Sequence, residues 1–254
     1  MKELVYKIID LLTFGTGLRK KFNGYPVKIP TRFINYFPSD YEKENFSFLT
    51  AQSKPGGVVL DIGAHIGLFA VIASETTGDN GKVFAFEPSP STTEFLKKTI
   101  TINKKNNVIE AIQQAMSNEV GKITFFVSDN KIDNSNSLVS YKNDRKLKGI
   151  EVDVNTIDNF VASKKLNAVN FIKIDVEGAE YDALRGGIDT FINKKPACIL
   201  AIHPIPIKAK GDKLEDIYDY ILKLNYNISY NNKNISKEEF CLNTEMIDLH
   251  LLPA

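Results

Sequence analysis

Residues 58–67 read VVLDIGAHIG. An apolar run, the pattern of a strand buried on both faces, ends on Asp61 and passes into a turn with glycines at 63 and 67. Strand, glycine turn and helix together form the grammar of a nucleotide-binding loop, in which amides at a helix N-terminus meet the ligand. A dinucleotide loop wants G-x-G-x-x-G, whereas the spacing here is Asp61-x-Gly63-x-His65-x-Gly67. A carboxylate at the strand end repels a pyrophosphate and suits a cationic ligand, such as a sulfonium amino acid with its ammonium group. The loop therefore favours S-adenosylmethionine over NAD. Histidine is one of the non-glycine residues enriched at positive φ, so His65 reads as a loop residue beside the cofactor.

Outward from this stretch the chain alternates. Strand VVLDI is followed by a helix from about Leu68 to Thr76, strand KVFAFE, a helix from Thr92 to Lys104 and strand VIEAIQQ. A β-rich excursion has KITFFV and IEVDV separated by a polar loop, Ser128 to Lys148. Then come strand NFIKID, a helix near Ala179 to Leu184, strand ACILAIH, helix LEDIYDYILKL and two strand-like pieces, YNISYN and MIDLHLL, suited to a hairpin at one sheet edge. Alternation of this kind predicts an α/β fold, a mostly parallel sheet with helices on both faces. Residues 1–55 form a helical and loop-rich preface, set off by Lys54-Pro55-Gly56-Gly57 from a main domain at 56–254.

In such sheets ligands bind beyond the carboxyl ends of the strands. Five strand ends deliver polar residues: Asp61 with Gly63, Ala64, His65 and Gly67; Glu87-Pro88-Ser89; Gln113-Gln114-Ala115; Asp175 with Glu177-Gly178; and His203-Pro204. Glu87 lies 26 residues beyond Asp61, where a carboxylate accepts both ribose hydroxyls of an adenosine. Pro88 and Ser89 are placed to contact the adenine, although Ser89 also suits a helix cap.

Bulk composition excludes little. Lys+Arg 32 against Asp+Glu 31 gives a net charge of +1, and no long basic block argues for nucleic acid. Cys198 and Cys241 lack metal-type spacing and fit a reducing, cytoplasmic compartment. The first segment, MKELVYKIIDLLTF, is too short and too charged for a membrane span. It reads as an amphipathic helix docked on the body, with peripheral membrane attachment as the alternative. Oligomeric state is not legible.

LDIGAHIG, FAFEPSP, VIEAIQQAMS and above all FIKIDVEGAEYDALRGG resemble the FkbM family of S-adenosylmethionine-dependent methyltransferases, over about residues 55–205. The resemblance implies the Rossmann-like class I methyltransferase fold, a seven-stranded sheet with one antiparallel strand. It also implies O-methylation of a hydroxyl on a sugar, glycan, glycolipid or polyketide-like acceptor. It places Asp61, Gly63, Ala64, His65 and Gly67 in the cofactor loop, Glu87 on the ribose, and Asp175, Glu177, Gly178 and Glu180 in an acidic signature facing the active site. Two positions depart from it: His65 stands where the family usually has asparagine, and Ala201 where it often has an acid.

Methyl transfer to a hydroxyl needs alignment and a base. His203 is the leading candidate, its ordinary pKa being near neutrality. Asp175 would orient the methionine end or the acceptor, and Glu177 would bind acceptor hydroxyls. The same three residues are also a possible divalent-metal set. Tyr36, Tyr41 and Glu42 either cover the cofactor or pack the preface on the sheet, and His250 reads as an edge-strand residue. The competing readings are a nicotinamide-dependent oxidoreductase and a cofactor-binding protein without turnover.

Overall fold

The computed structural model of the chain describes residues 2–128 and 147–254. Residues 129–146, most of the predicted polar loop, lie outside the described residues.

In chain order the preface holds α1 (Lys2–Leu12), the hairpin β1 (Leu18–Phe22) and β2 (Tyr25–Ile29), and α2 (Lys43–Gln52). The stretch GYPVKIP, assigned no strand from the sequence, thus supplies β2. Then follow β3 (Val58–Ile62), α3 (Leu68–Thr77), β4 (Lys82–Phe86), α4 (Pro90–Ile102), β5 (Ile109–Ile112), β6 (Ala115–Met116), β7 (Gly121–Ser128) and β8 (Leu147–Asn155). The rest comprises α5 (Ile157–Ser163), β9 (Phe171–Ile174), α6 (Glu180–Arg185), α7 (Ile188–Lys194), β10 (Ala197–Ile202), α8 (Pro204–Lys210), α9 (Leu214–Lys223), β11 (Tyr226–Tyr230), β12 (Lys233–Asn234), α10 (Lys237–Leu242) and β13 (Ile247–Pro253).

Among the described residues the main sheet has eight strands in the order β12-β11-β13-β10-β9-β3-β4-β5. Five neighbours, β10, β9, β3, β4 and β5, run parallel, and β13 is antiparallel to both β10 and β11. This is the Rossmann-like methyltransferase sheet of seven strands, with the two-residue β12 added outside β11. The final strand does not sit at the edge: β13 inserts between β10 and β11, so His250 is interior and only 3% exposed. The excursion forms a separate sheet, β6-β8-β7.

The alternation of side chains along each strand divides the apolar runs between two cores. Leu60, Ile62, Phe84, Phe86, Ile172, Ile174 and Leu200 face one side, packed with Phe160, Leu184, Phe191 and Ile217 from the helices. Val59, Val83, Phe171 and Ile199 face the other, where they meet Phe22, Val27, Ile29, Phe33, Phe46 and Leu49 of the preface. Each such side chain fully buried contributes about 1.5–3 kcal/mol. The preface is therefore the cover of one sheet face. Parity also puts Asp61, Lys173 and Asp175 on that covered face, because Asp61 pairs with Lys173 across β3 and β9.

Two glycines shape the loop after β3. Gly63 has φ +85 and any Cβ there would lie 1.8 Å from the Asp175 carbonyl oxygen. Gly67, at φ +86, begins α3 with Leu96 packed where a side chain would be. Both conditions favour glycine.

Candidate active site

The loop, the strand ends and the preface enclose a pocket with about 950 Å³ of space, part of it open to solvent. Of the residues singled out from the sequence, Gly63, Ala64, His65, Glu87, Pro88, Gln114, Ala115, Asp175 and Glu177 line it. Phe37, Tyr41, Glu42 and Phe46 of the preface and Lys173 of β9 complete the wall. Asp61, Gly67, Ser89 and His203 do not line it and act from behind.

Glu87 is 6% exposed and accepts two backbone hydrogen bonds, from the His65 N–H to Oε2 at 3.1 Å and from the Ser89 N–H to Oε1 at 2.9 Å. Burial pushes its carboxyl up to about 7, opposed by those two amides. The loop and the acid hold each other in place, and the acid keeps lone pairs for a ligand. Ser89 itself is fully buried and caps α4 through a hydrogen bond from the Thr92 N–H. Its backbone N–H holds Glu87 and its hydroxyl caps the helix, the capping role the sequence also offered.

His65 occupies the left-handed region at φ 50, as its place in the loop predicted. Its ring packs against Phe33, Tyr36 and Phe37 at centroid distances of 5.9, 6.1 and 6.0 Å. The histidine thus fastens the preface to the cofactor loop.

Asp61 lies beneath this loop, fully buried. Among the described residues neither of its oxygens has a hydrogen bond of good geometry, the Ala70 amide giving only a weak backbone interaction. Burial pushes its carboxyl up to about 7; Lys173 pulls it down while Glu42 and Asp175 push further up. Nearby, Lys173 donates to Asp175 Oδ2 at 2.7 Å and stands 4.0 Å from Glu42 Oε1. Burial opposes the lysine's charge, but Asp175, Glu42 and Asp61 together hold its pKa well above the ordinary value. Asp175 would be raised by burial, yet Lys173 and His203 hold it below the ordinary range. One buried amine is surrounded by more carboxylates than it neutralises, so the site attracts a further positive charge.

On the other side of Asp175, His203 is fixed by a 2.8 Å contact from Nδ1 to Glu180 Oε1. Glu180 is fully buried and both its oxygens accept the Gly178 N–H at 3.0 Å. The imidazole Nε2 faces Asp175 Oδ1 at 3.7 Å and Glu177 Oε1 at 4.0 Å. Burial would lower the His203 pKa, but the hydrogen bond and charge of Glu180, then Asp175 and Glu177, raise it to about 9. The surroundings thus move the ring above the ordinary near-neutral value on which the sequence reading relied and favour its protonated form. The metal set considered for Asp175, Glu177 and His203 is not formed, since no group of three or more His, Cys, Asp or Glu among the described residues has the geometry to hold a metal ion.

The profile of the methyltransferase FkbM domain matches residues 61–228. The chain belongs to this FkbM methyltransferase family. The hexuronic acid methyltransferase AglP of Haloferax volcanii is 29% identical over 145 residues, which cover 57% of this chain and 56% of that protein. Methyltransferase sdnD of Sordaria araneosa is 26% identical over 185 residues, covering 63% of this chain and 70% of that one. Among solved structures, the methyltransferase FkbM of Methylobacillus flagellatus KT matches with a TM-score of 0.50 at 18% identity, over 78% of this chain and 44% of that one. The precorrin-6y C5,15-methyltransferase of Geobacter metallireducens GS-15 gives a TM-score of 0.50 at 10% identity, over 90% and 93% of the two chains. These two share the fold. The chain spans a little over half the length of its relative AglP. The FkbM match starts at Asp61 and ends at Ile228, so Tyr41 and Glu42 of the preface and the whole of β13 lie outside it.

Lys173, Glu180 and Glu42 carry the electrostatics, yet none was assigned a definite role from the sequence. The signal for Lys173 was present: a lysine inside the strand FIKI, which is otherwise apolar and must be buried on both faces. No helix among the described residues is long and apolar enough to cross a membrane.

Proposed function

We propose that this chain transfers a methyl group from S-adenosylmethionine to a hydroxyl of a sugar-like acceptor. The observation that carries the reading is Asp61, a fully buried acid poorly satisfied among the described residues, beneath a loop that needs glycine at 63 and 67. Such a group calls for a cationic partner. The ammonium of a methionine fits that demand from the pocket above, the Glu87 carboxylate fits ribose hydroxyls, and the aromatic residues Phe37, Phe46 and Phe69 line the pocket, a lining that suits a sulfonium. Bound there, the cofactor supplies an electrophilic methyl on a sulfonium.

The chain's own residues bind, orient and hold a proton. Asp175 and Glu177 offer carboxylate oxygens to acceptor hydroxyls, and alignment of this kind contributes roughly 7–11 kcal/mol. His203, held through Nδ1 by Glu180, presents Nε2 to the space between those acids. A cation entering the acid cluster lowers the imidazolium pKa, so the histidine becomes a base when the site is filled. The hexuronic acid methyltransferase relative supports a sugar hydroxyl as the acceptor class. Isothermal titration with S-adenosylhomocysteine tests the reading: the folded protein should bind it, and Glu87→Ala should weaken binding at least about tenfold through a lost charged hydrogen bond. Folded protein with no affinity would refute it.

A further inference from the structure

A second recess of about 590 Å³ opens on the other side of Glu42, which lines both it and the cofactor pocket. Its walls include Glu44, Asn45, Asp248 and His250. Asp248 pairs with Ala201 and His250 with Ile199 across β13 and β10, and Ile199 pairs with Lys173 across β10 and β9. The recess therefore lies on the sheet face that carries Lys173 and Asp175.

His250 is the informative group. It is 3% exposed and stacks on Phe48 at 4.2 Å and 7°. Asn45 decides its tautomer. The Asn45 Nδ2 donates to Glu42 Oε2 at 3.3 Å, and a carboxylate can only accept. The Asn45 Oδ1 is therefore the atom 3.0 Å from His250 Nε2, and that nitrogen carries the hydrogen. Burial lowers the ring's pKa, against the charge of Glu44, and so disfavours the charged ring; with the hydrogen on Nε2, the neutral ring has its lone pair on Nδ1. That atom is buried and has no hydrogen-bond partner among the described residues. Unmet buried acceptors are rare, and a ligand hydroxyl or amine is what this one lacks.

Building on the methyltransferase reading, we propose that this recess is a subsite for the distal part of the acceptor whose reacting hydroxyl meets Asp175 and Glu177, and that it takes a neutral or amino-substituted polyol, not a carboxylate-bearing sugar. Glu42, Glu44 and Asp248 face it against the single amine of Lys43. Hydroxyl and ammonium groups donate to such a wall, whereas a uronate would meet like charges. Glu42 places this subsite directly beside the cofactor pocket.

The test uses the full chain saturated with S-adenosylhomocysteine and three probes: the methyl glycosides of glucose, glucosamine and glucuronic acid, read by saturation-transfer NMR. The glucoside and glucosaminide should bind and the glucuronide should not. His250→Phe, which keeps the stack on Phe48, should weaken glycoside binding about tenfold, the scale of leaving a hydrogen-bonding group unmet. Asp248→Asn should weaken the glucosaminide more than the glucoside. Both variants should bind S-adenosylhomocysteine as the parent does. Preference for the glucuronide, no binding of any glycoside, or glycoside affinities unchanged in both variants would overturn the proposal. Those failures leave the methyltransferase reading standing as long as S-adenosylhomocysteine binds; its loss in the parent protein refutes that reading instead.

Discussion

Asp61→Asn should trade cofactor affinity for stability, and only at neutral pH and above. The carboxyl's pKa stands at about 7 against 3.8 for the free side chain, chiefly through burial. A raised acid pKa means that the fold holds the proton more tightly than the unfolded chain does. The resulting penalty is absent below about pH 4, grows as pH rises, and is complete above about pH 7. At about 1.4 kcal/mol per pH unit it amounts to on the order of 4 kcal/mol. Asparagine removes the charge at nearly constant shape but leaves a buried amide unmet, at a cost of about 1–3 kcal/mol. The net gain at pH 8 is then on the order of 1–3 kcal/mol, or roughly 2–12 °C in Tm for a chain of this size. At pH 5 the parent carboxyl is already neutral, so the gain vanishes or reverses. Cofactor binding should move the other way, because the pocket above loses the buried negative charge that attracts a methionine ammonium. Scanning calorimetry at pH 5 and 8, with titration of S-adenosylhomocysteine, reads both effects. A variant destabilised equally at both pH values, or binding the ligand as tightly as the parent, would refute the reasoning.

Two further changes probe the rest of the site. Glu180→Gln removes the main group that raises His203 to about 9; burial then dominates, and the inflection of kcat against pH should fall by at least about one unit, whereas a purely structural role for Glu180 would lower kcat without moving it. Gly63→Ala places a methyl 1.8 Å from the Asp175 carbonyl oxygen at positive φ, so it should destabilise by roughly 1–3 kcal/mol and abolish S-adenosylhomocysteine binding; thermal melts and titration check this, and a silent substitution would show that the loop is not held against β9.

The central sheet could be read from the sequence because its signals are local. VVL, FIKI and CILAI are apolar runs of strand length, and the polar residues that follow them end on one sheet edge by topology alone. Short helices were harder. The segment after ACILAIH, given no element from the sequence, forms α8, because Pro204 and Pro206 fall in its first turn where no amide donor is needed. Long-range pairings were not legible at all. The Asn45–His250 contact joins residues 205 apart, and nothing in either segment announces the other. The sequence likewise left open whether Tyr41 and Glu42 pack or serve the site; the structure brings both into the pocket wall. The environment of His203 was not legible either, since its partner Glu180 lies 23 residues away.

Glu42 is shared property. It faces Lys173 at 4.0 Å on one side and Asn45 at 3.3 Å on the other, and it does so from a left-handed backbone at φ 46 just before α2. A substitution there alters two recesses together, so an engineer cannot widen one without changing the field in the other. It also stands outside the family-matched segment. Under the proposed reading, a change at this one carboxylate that alters acceptor choice also alters the pocket for the methyl donor, so the two properties are coupled through a single side chain.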